Sequence, residues 1–146
     1  FRFVNIIGDR GTHGVIFDFI NKLNATPNRL EVLGNGLQEK SYMEVKECVT
    51  SILYVVEHTD LPFNLCNLGS VDTISVRQIA ETVIEETGYH DALIDYTGGD
   101  RGWAGDIPRA RLAIDKLNQL GYIPSMNSKE AVRHTVRVLI KEIGLR

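Results

Sequence analysis

Short apolar segments alternate with amphipathic helical segments along this 146-residue chain, and this alternation constrains the fold more than any other feature. Residues 1–7 are apolar and rich in β-forming side chains, which predicts a buried strand. Residues 15–23 carry apolar side chains at helical spacing, which predicts a helix with one buried face. Strands that alternate with helices indicate an α/β fold. Because the predicted strands are few and short, we expect a small sheet with helices packed on it and with some edges that lack partners.

The same periodicity predicts further helices. One should cover residues 46–58, and its inward face should consist of Val49, Ile52, Leu53 and Val56. Ser75 is followed three residues later by Gln78, a capping-box pattern that predicts the start of the next helix. Pro108 is predicted to begin a helix, because proline is tolerated in a first turn. Ser128 is predicted to cap the last helix.

Composition limits the kinds of function. The net charge is −3 and no basic run occurs, which argues against nucleic acid as a partner. No apolar stretch approaches the roughly 20 residues needed to cross a bilayer, and no signal peptide is visible, so we expect a cytoplasmic protein without a membrane contact. Cys48 and Cys66 form no Cys-x-x-Cys pair, which fits a reducing compartment. The four histidines show no ligand spacing, so we expect no metal site.

A glycine-rich loop offers one possible cofactor site. Gly8, Gly11 and Gly14 follow a predicted strand and precede a predicted helix, which is the context of a dinucleotide-binding fingerprint. Two features weaken this interpretation. The third glycine is followed by bulky side chains, and what comes after does not continue as a βαβαβ half. A small NAD-binding domain built on these glycines therefore stays a second alternative.

Three sequence blocks occur in a fixed order: residues 2–10 (RFVNIIGDR), 34–47 (GNGLQEKSYMEVKE) and 98–108 (GGDRGWAGDIP). Together they resemble the C-terminal, substrate-binding portion of an NAD-dependent epimerase/dehydratase, an extended short-chain dehydrogenase/reductase similar to UDP-glucose 4-epimerase. The chain departs from the family pattern at Asp9, where the family has proline. It departs again at Lys40, where the family has arginine, and lysine is a point charge rather than a bidentate fork.

The resemblance implies which residues contact the ligand. Asn5, Lys40 and Arg101 would hold the diphosphate of a sugar nucleotide, and Asp106 would contact the ribose. On residue type alone, Asn5 would more often close a turn, and the two cations would be solvated surface charges. The full substrate-binding set implied by the family is Asn5, Val15, Ile16, Val32, Leu33, Lys40, Tyr42, Val76, Arg101 and Asp106. The residues implied to lie near the nicotinamide of NAD are Phe3 and Val4.

The resemblance also implies a fold and a domain organisation. Residues 1–146 would form a single substrate-binding domain. It would comprise the last strand or strands of a Rossmann-type dinucleotide sheet and the small mixed α/β substrate-binding domain of a nucleotide-sugar epimerase. The N-terminal NAD-binding domain would lie outside this chain and would bind most of the NAD. The longer protein would be a homodimer acting on a nucleotide-diphosphate sugar linked to UDP.

The resemblance implies that the catalytic tyrosine and lysine of the family, Tyr-x-x-x-Lys, belong to the N-terminal part of such an enzyme, outside the three blocks found here. Of the five tyrosines in this sequence, only Tyr42 has a lysine four residues later, at Lys46, and this pair falls inside the second block, where the resemblance implies that Tyr42 binds substrate. The resemblance therefore implies that the longer protein is an isomerase or lyase, whereas this chain contains no catalytic residue and is inactive alone. A non-catalytic sugar-nucleotide-binding module is the remaining alternative.

Overall fold

The structure is a computed structural model that describes residues 1–144. Its helices are α1 (Val15–Ala25), α2 (Val45–Glu57), α3 (Val76–Thr87), α4 (Asp115–Gln119) and α5 (Ser128–Ile143). Its strands are β1 (Arg2–Phe3), β2 (Asn5–Ile7), β3 (Arg29–Val32), β4 (Glu39–Lys40), β5 (Tyr42–Glu44), β6 (Asn67–Leu68), β7 (Ile74–Ser75), β8 (Leu93–Tyr96) and β9 (Arg109–Ala110). No helix within these residues is long and apolar enough to cross a bilayer.

The strands form small, mostly parallel sheets. β1 pairs with β6, β2 with β5 and β3 with β8, each in parallel. β4 lies between β7, which is antiparallel to it, and β9, which is parallel. The predicted α/β class with a small sheet is confirmed. The prediction of one buried strand over residues 1–7 is wrong, because two short strands form there and Phe1 and Phe3 are exposed.

The larger core lies where α1, α3 and α5 pack against one another and against β3. Helix α1 has the predicted apolar face, and it buries Ile16, Phe19, Ile20 and Leu23. A second, smaller core joins α2 and α4 to strands β5 and β6. The two cores flank β2 and β5, so the residues at the ends of these strands are held from both sides.

Helix α2 is oriented differently from the sequence prediction. Its bounds agree with the predicted helix to within a residue, but Val49, Leu53 and Val56 are exposed rather than buried. The buried residues are instead Glu47, Cys48, Ser51 and Val55. Periodicity predicts that a helix has an apolar stripe, but it does not say which part of the stripe the rest of the chain covers.

The predicted helix starts agree with the structure at α3 but differ from it at two other places. The predicted capping box of Ser75 and Gln78 forms at the start of α3. The last helix begins one residue earlier than predicted, because Asn127 rather than Ser128 accepts the capping hydrogen bond. Pro108 does not begin a helix: it precedes strand β9, and the helical part shrinks to α4.

Candidate functional site

A cavity of about 800 Å³ opens between strand β2, the start of α1 and the segments around residues 38 and 103. It has a size typical of small-molecule sites. Several residues singled out in the sequence lie on its wall: Val4, Asn5, Val15, Ile16, Leu33, Lys40, Tyr42, Val76 and Asp106. These residues come from stretches that are far apart in the sequence, so it is the tertiary fold that brings them together.

Three of the singled-out residues lie elsewhere. Val32 is fully buried in the larger core, behind the wall rather than on it. Phe3 is half exposed on β1, away from the cavity lining. The Arg101 side chain is exposed and does not line the cavity, although the next two residues, Gly102 and Trp103, do.

Asn5 is placed by the pairing of β2 with β5. In that register Asn5 lies opposite Tyr42. Its backbone N–H donates to the Ser41 carbonyl oxygen at 3.2 Å, and its side-chain Nδ2 donates to the same oxygen at 3.1 Å. The amide group is therefore oriented by the sheet edge before any ligand is present.

Lys40 and Asp106 form an ion pair on the cavity wall. The Lys40 Nζ lies 2.5 Å from the Asp106 Oδ1, and the Asp106 side chain is only 8% exposed. Strand β4 carries Lys40 beside β9, and this pairing brings the turn before β9 close to Lys40. The Gly102 N–H donates to the Asp106 Oδ2 at 3.1 Å, so both carboxylate oxygens accept a hydrogen bond.

The hydrogen bonds to Asp106 determine its charge. Burial alone would raise the pKa of this carboxyl group, but the hydrogen bond from Lys40 and that from the Gly102 N–H outweigh burial and leave the pKa below its ordinary value. Asp106 is therefore a carboxylate at neutral pH. Any anion that approaches Lys40 must compete with it.

Tyr42 presents a protonated hydroxyl to the same wall. Burial, and then the negative charge of Asp106, raise the pKa of Tyr42 to about 12. The phenol therefore keeps its proton at neutral pH and can donate a hydrogen bond to a ligand oxygen. It is not poised to act as a base.

The charges on the cavity wall are mutually compensated. The lining acids are Asp9, Asp18 and Asp106, and the lining lysine is Lys40. Asp9 lies 3.3 Å from the Lys46 ammonium. Asp18 pairs with a lysine one helical turn along α1 at 3.0 Å. The described wall thus has no surplus of positive charge, and an anionic ligand would need a rearrangement of the Lys40 pair or a contribution from Arg101.

The segment that carries Arg101 packs closely on the glycine turn after β3. Gly34 has a φ of 81°, and a Cβ there would lie 2.9 Å from the Arg101 carbonyl oxygen. This close approach explains why glycine stands at position 34. The Arg101 backbone is thereby fixed beside Leu33 and the cavity, although its guanidinium is directed elsewhere.

Gln38 is a wall residue that the sequence reasoning did not select. It is buried, and its Nε2 donates to the Leu33 carbonyl oxygen at 3.2 Å. Its Oε1 has no hydrogen-bond partner among the described residues. Gln38 could have been selected as a candidate site residue from the sequence, because it belongs to the second block and lies two residues before Lys40.

The glycine loop lies on the cavity, but it is not part of a dinucleotide fold. Gly8, Gly11 and Gly14 all line the cavity between β2 and α1. The strand that follows α1, however, pairs with β8 and not with β2. A dinucleotide fingerprint requires a βαβ unit whose parallel strands are neighbours, and the described residues do not form one here. Gly8 has a packing role, since a Cβ there would collide with Val45 Cγ1.

Comparison with known proteins gives a consistent set of relatives. No family model matches the chain. GDP-mannose 3,5-epimerase of Arabidopsis thaliana is 31% identical over 141 residues, which cover 92% of this chain and 35% of that protein. A crystal structure of UDP-galactose 4-epimerase has a TM-score of 0.83 and 38% identity, covering 97% of this chain and 45% of that one.

A third relative shares the fold at low identity. It is a mutant of UDP-glucuronic acid 4-epimerase from Bacillus cereus, solved in complex with UDP-4-deoxy-4-fluoro-glucuronic acid and NAD. Its TM-score is 0.79 at 16% identity, and the overlap covers 97% of this chain and 44% of that one. This chain therefore spans less than half the length of each of these three proteins.

Proposed function

Since the chain belongs to the NAD-dependent epimerase/dehydratase family, whose C-terminal part it matches, we propose that it binds the nucleotide-diphosphate part of a sugar nucleotide. One observation carries the proposal: Asn5, Lys40, Tyr42 and Asp106 lie on the wall of a single cavity. A cavity of about 800 Å³ with polar groups set among apolar walls suits a ligand of that size.

The diphosphate would lie against Lys40, Tyr42 and Asn5. The Lys40 ammonium supplies the positive charge, and the Tyr42 hydroxyl, kept protonated by burial, donates to a phosphate oxygen. Lys40 must first release Asp106 or share its donors with it. Arg101 would join by a change of side-chain rotamer, because its backbone already lies beside the cavity.

The nucleoside would occupy the apolar part of the wall. Leu33 and Val76 would flank the base, and Val15 and Ile16 at the start of α1 would close the other side. Val32 would act indirectly, as a buried support behind Leu33. Once Asp106 has released Lys40, its carboxylate can accept hydrogen bonds from the two ribose hydroxyls. UDP is the proposed nucleotide, because the UDP-galactose 4-epimerase relative has the higher identity of the two solved structures.

The described residues do not by themselves fit NAD. Val4 lines the cavity, whereas Phe3 lies outside it and the glycine loop lacks the neighbouring strand that a dinucleotide fold needs. We therefore propose that NAD, which would supply hydride transfer in a longer protein, is held mainly by another domain. Val4 would contribute only a wall residue near the nicotinamide.

In the longer protein this chain would serve as the substrate half of a homodimeric, cytoplasmic nucleotide-sugar epimerase or dehydratase. Its role would be to position the sugar nucleotide for chemistry performed by residues outside it. The chain alone should then have no epimerase activity. Incubation of the purified chain with UDP-glucose and NAD, followed by chromatography for UDP-galactose, tests this; interconversion would contradict the proposal.

Titration calorimetry tests the binding proposal directly. The chain is titrated with UDP-glucose, UDP-galactose and NAD. We expect a UDP-sugar to bind and NAD not to bind. Lys40→Met should weaken UDP-sugar binding about tenfold to a hundredfold, because a hydrogen bond to a charged group contributes about 1.5–3 kcal/mol.

The matched control is Lys129→Met, which removes the same charge from an exposed position on α5 away from the cavity. It should leave the affinity unchanged. Equal losses in both variants would attribute the effect to net charge alone and would refute the proposed site. Binding of NAD in preference to every UDP-sugar would favour the alternative that uses Gly8, Gly11 and Gly14.

A further inference from the structure

Trp103 is the only tryptophan of the chain, and it lies on the wall of the cavity without a role in the site described so far. Its side chain is 66% exposed, although tryptophan is highly buried in an average protein. Neither of the two hydrophobic cores formed by the described residues includes it. Within residues 1–144 no aromatic ring and no guanidinium stacks on it. The ring thus contributes little to the core, and much of its surface is open to a ligand.

The position of the ring is set by contacts within its own segment. The six-membered part of the indole packs directly on Gly105, where a Cβ would lie 2.3 Å from the Trp103 Cζ3. The Trp103 carbonyl oxygen accepts the Asp106 N–H at 3.0 Å, and the Asp106 Oδ2 accepts the Gly102 N–H at 3.1 Å. Because the same carboxylate pairs with Lys40, these bonds tie the segment to the ion pair at which we place the diphosphate.

The same segment also lies against the apolar part of the wall. A Cβ built on Gly102, the residue before Trp103, would lie 3.7 Å from the Leu33 Cβ. Leu33 lines the cavity, is 44% exposed and is one of the two residues proposed to flank the base. The segment that carries Trp103 therefore contacts the ion pair at one point and the proposed base position at another.

We propose that the Trp103 ring stacks on the nucleobase of the bound sugar nucleotide. The inference rests on the proposed function, because that function places a base beside Leu33. An indole offers a large rigid π-surface and every nucleobase has a π-face, so this contact needs no particular pattern of hydrogen bonds. Leu33 and Val76 supply aliphatic contacts to the base, and Trp103 covers a face that they leave open. The sugar is a less suitable partner for the ring, because it is joined to the far end of the diphosphate.

Substitution of Trp103 separates binding of the base from binding of the diphosphate. The affinities of the chain for UDP and for inorganic pyrophosphate are measured by titration calorimetry. Trp103→Ala should weaken UDP binding roughly 5- to 150-fold, the loss typical of a base that loses one aromatic stacking partner, and it should leave pyrophosphate binding unchanged. Trp103→Phe should recover most of the affinity for UDP, because the smaller ring still stacks.

The control is Phe63→Ala, which removes an aromatic ring that is 80% exposed and lies outside the cavity. It should leave both affinities unchanged. Fluorescence gives an independent readout, because the emission of the single tryptophan reports this one ring. Saturation with UDP should quench that emission, whereas saturation with pyrophosphate should change it much less.

Three results would overturn the stacking contact. The first is an unchanged affinity for UDP in folded Trp103→Ala, and the second is an equal loss of affinity for UDP and for pyrophosphate. The third is a loss of affinity for UDP-glucose but not for UDP, since the ring would then contact the sugar. Each of these leaves the proposed function standing, whereas a chain that binds neither UDP nor a UDP-sugar would refute the proposed function and the contact together.

Discussion

Asp106→Asn should strengthen the binding of inorganic pyrophosphate to this chain. Asp106 holds the Lys40 ammonium at 2.5 Å and repels any second anion at the same place. Asparagine keeps the shape of the side chain and an oxygen to accept the Gly102 N–H, but it removes the charge. Lys40 then becomes available to phosphate.

The size of the gain follows from Coulomb's law. A phosphate in contact with Lys40 would lie about 5 Å from the Asp106 carboxylate, where repulsion between unit charges is roughly 1 kcal/mol in water and about 3 kcal/mol at an effective dielectric constant of 20. The affinity for pyrophosphate should therefore rise roughly 5- to 150-fold. UDP should gain less, because the variant also loses the proposed contact of Asp106 with the ribose.

The same substitution should destabilise the fold modestly. Lys40 is 23% exposed and can be hydrated when its partner is lost, so the cost should be about 1–2 kcal/mol, between that of exposed and that of buried pairs. This corresponds to a fall in Tm of about 3–6 °C. Since the pKa of Asp106 is lowered in the folded chain, this stabilisation is present above the unfolded pKa of about 3.9. The Tm difference should therefore close as the pH falls from about 4 through the folded pKa.

The assay is titration calorimetry with pyrophosphate and with UDP at one ionic strength, with circular dichroism to verify the fold. Asp91→Asn is the control, because it makes the same change in net charge at an exposed site outside the cavity. A pyrophosphate affinity that is unchanged or weaker in folded Asp106→Asn would refute the reasoning, since Asp106 would then not be the competitor for Lys40.

Two further predictions concern contacts made by the first turn of helix α2. Glu47→Ala should lower the free energy of unfolding by about 2–4 kcal/mol in a urea titration, because the buried Glu47 side chain accepts a hydrogen bond from the Ser125 N–H at 2.6 Å. The control is Glu57→Ala, at an exposed position of the same helix, which should lower the free energy of unfolding by less than about 1 kcal/mol. Equal losses in the two variants would contradict this role of Glu47. Gly8→Ala should cost about 1–3 kcal/mol in thermal unfolding, since the new methyl group would collide with Val45 Cγ1; an unchanged Tm would show that the loop shifts freely.

The start of α3, the bounds of α2 to within a residue and the α/β class could be predicted from the sequence because their causes are local. The capping box at Ser75 and Gln78 involves residues three positions apart, and it forms as predicted. Gly88 ends α3 in the left-handed conformation, which glycine adopts without strain. The three sequence blocks likewise indicate the family from residue identity and spacing alone, without any knowledge of the packing around them.

Tertiary structure decided which partner each of these elements meets. An apolar stripe on α2 can face any apolar neighbour, so its sequence could not show that Val49 and Leu53 lie exposed. A lysine can pair with any carboxylate within reach, and only the β4–β9 pairing selects Asp106 for Lys40. Helix caps and periodicity depend on residues that are near neighbours in the sequence, so the sequence by itself determined them. Burial, ion pairing and the lining of a cavity depend on contacts between residues far apart in the sequence, so only the tertiary fold decided them.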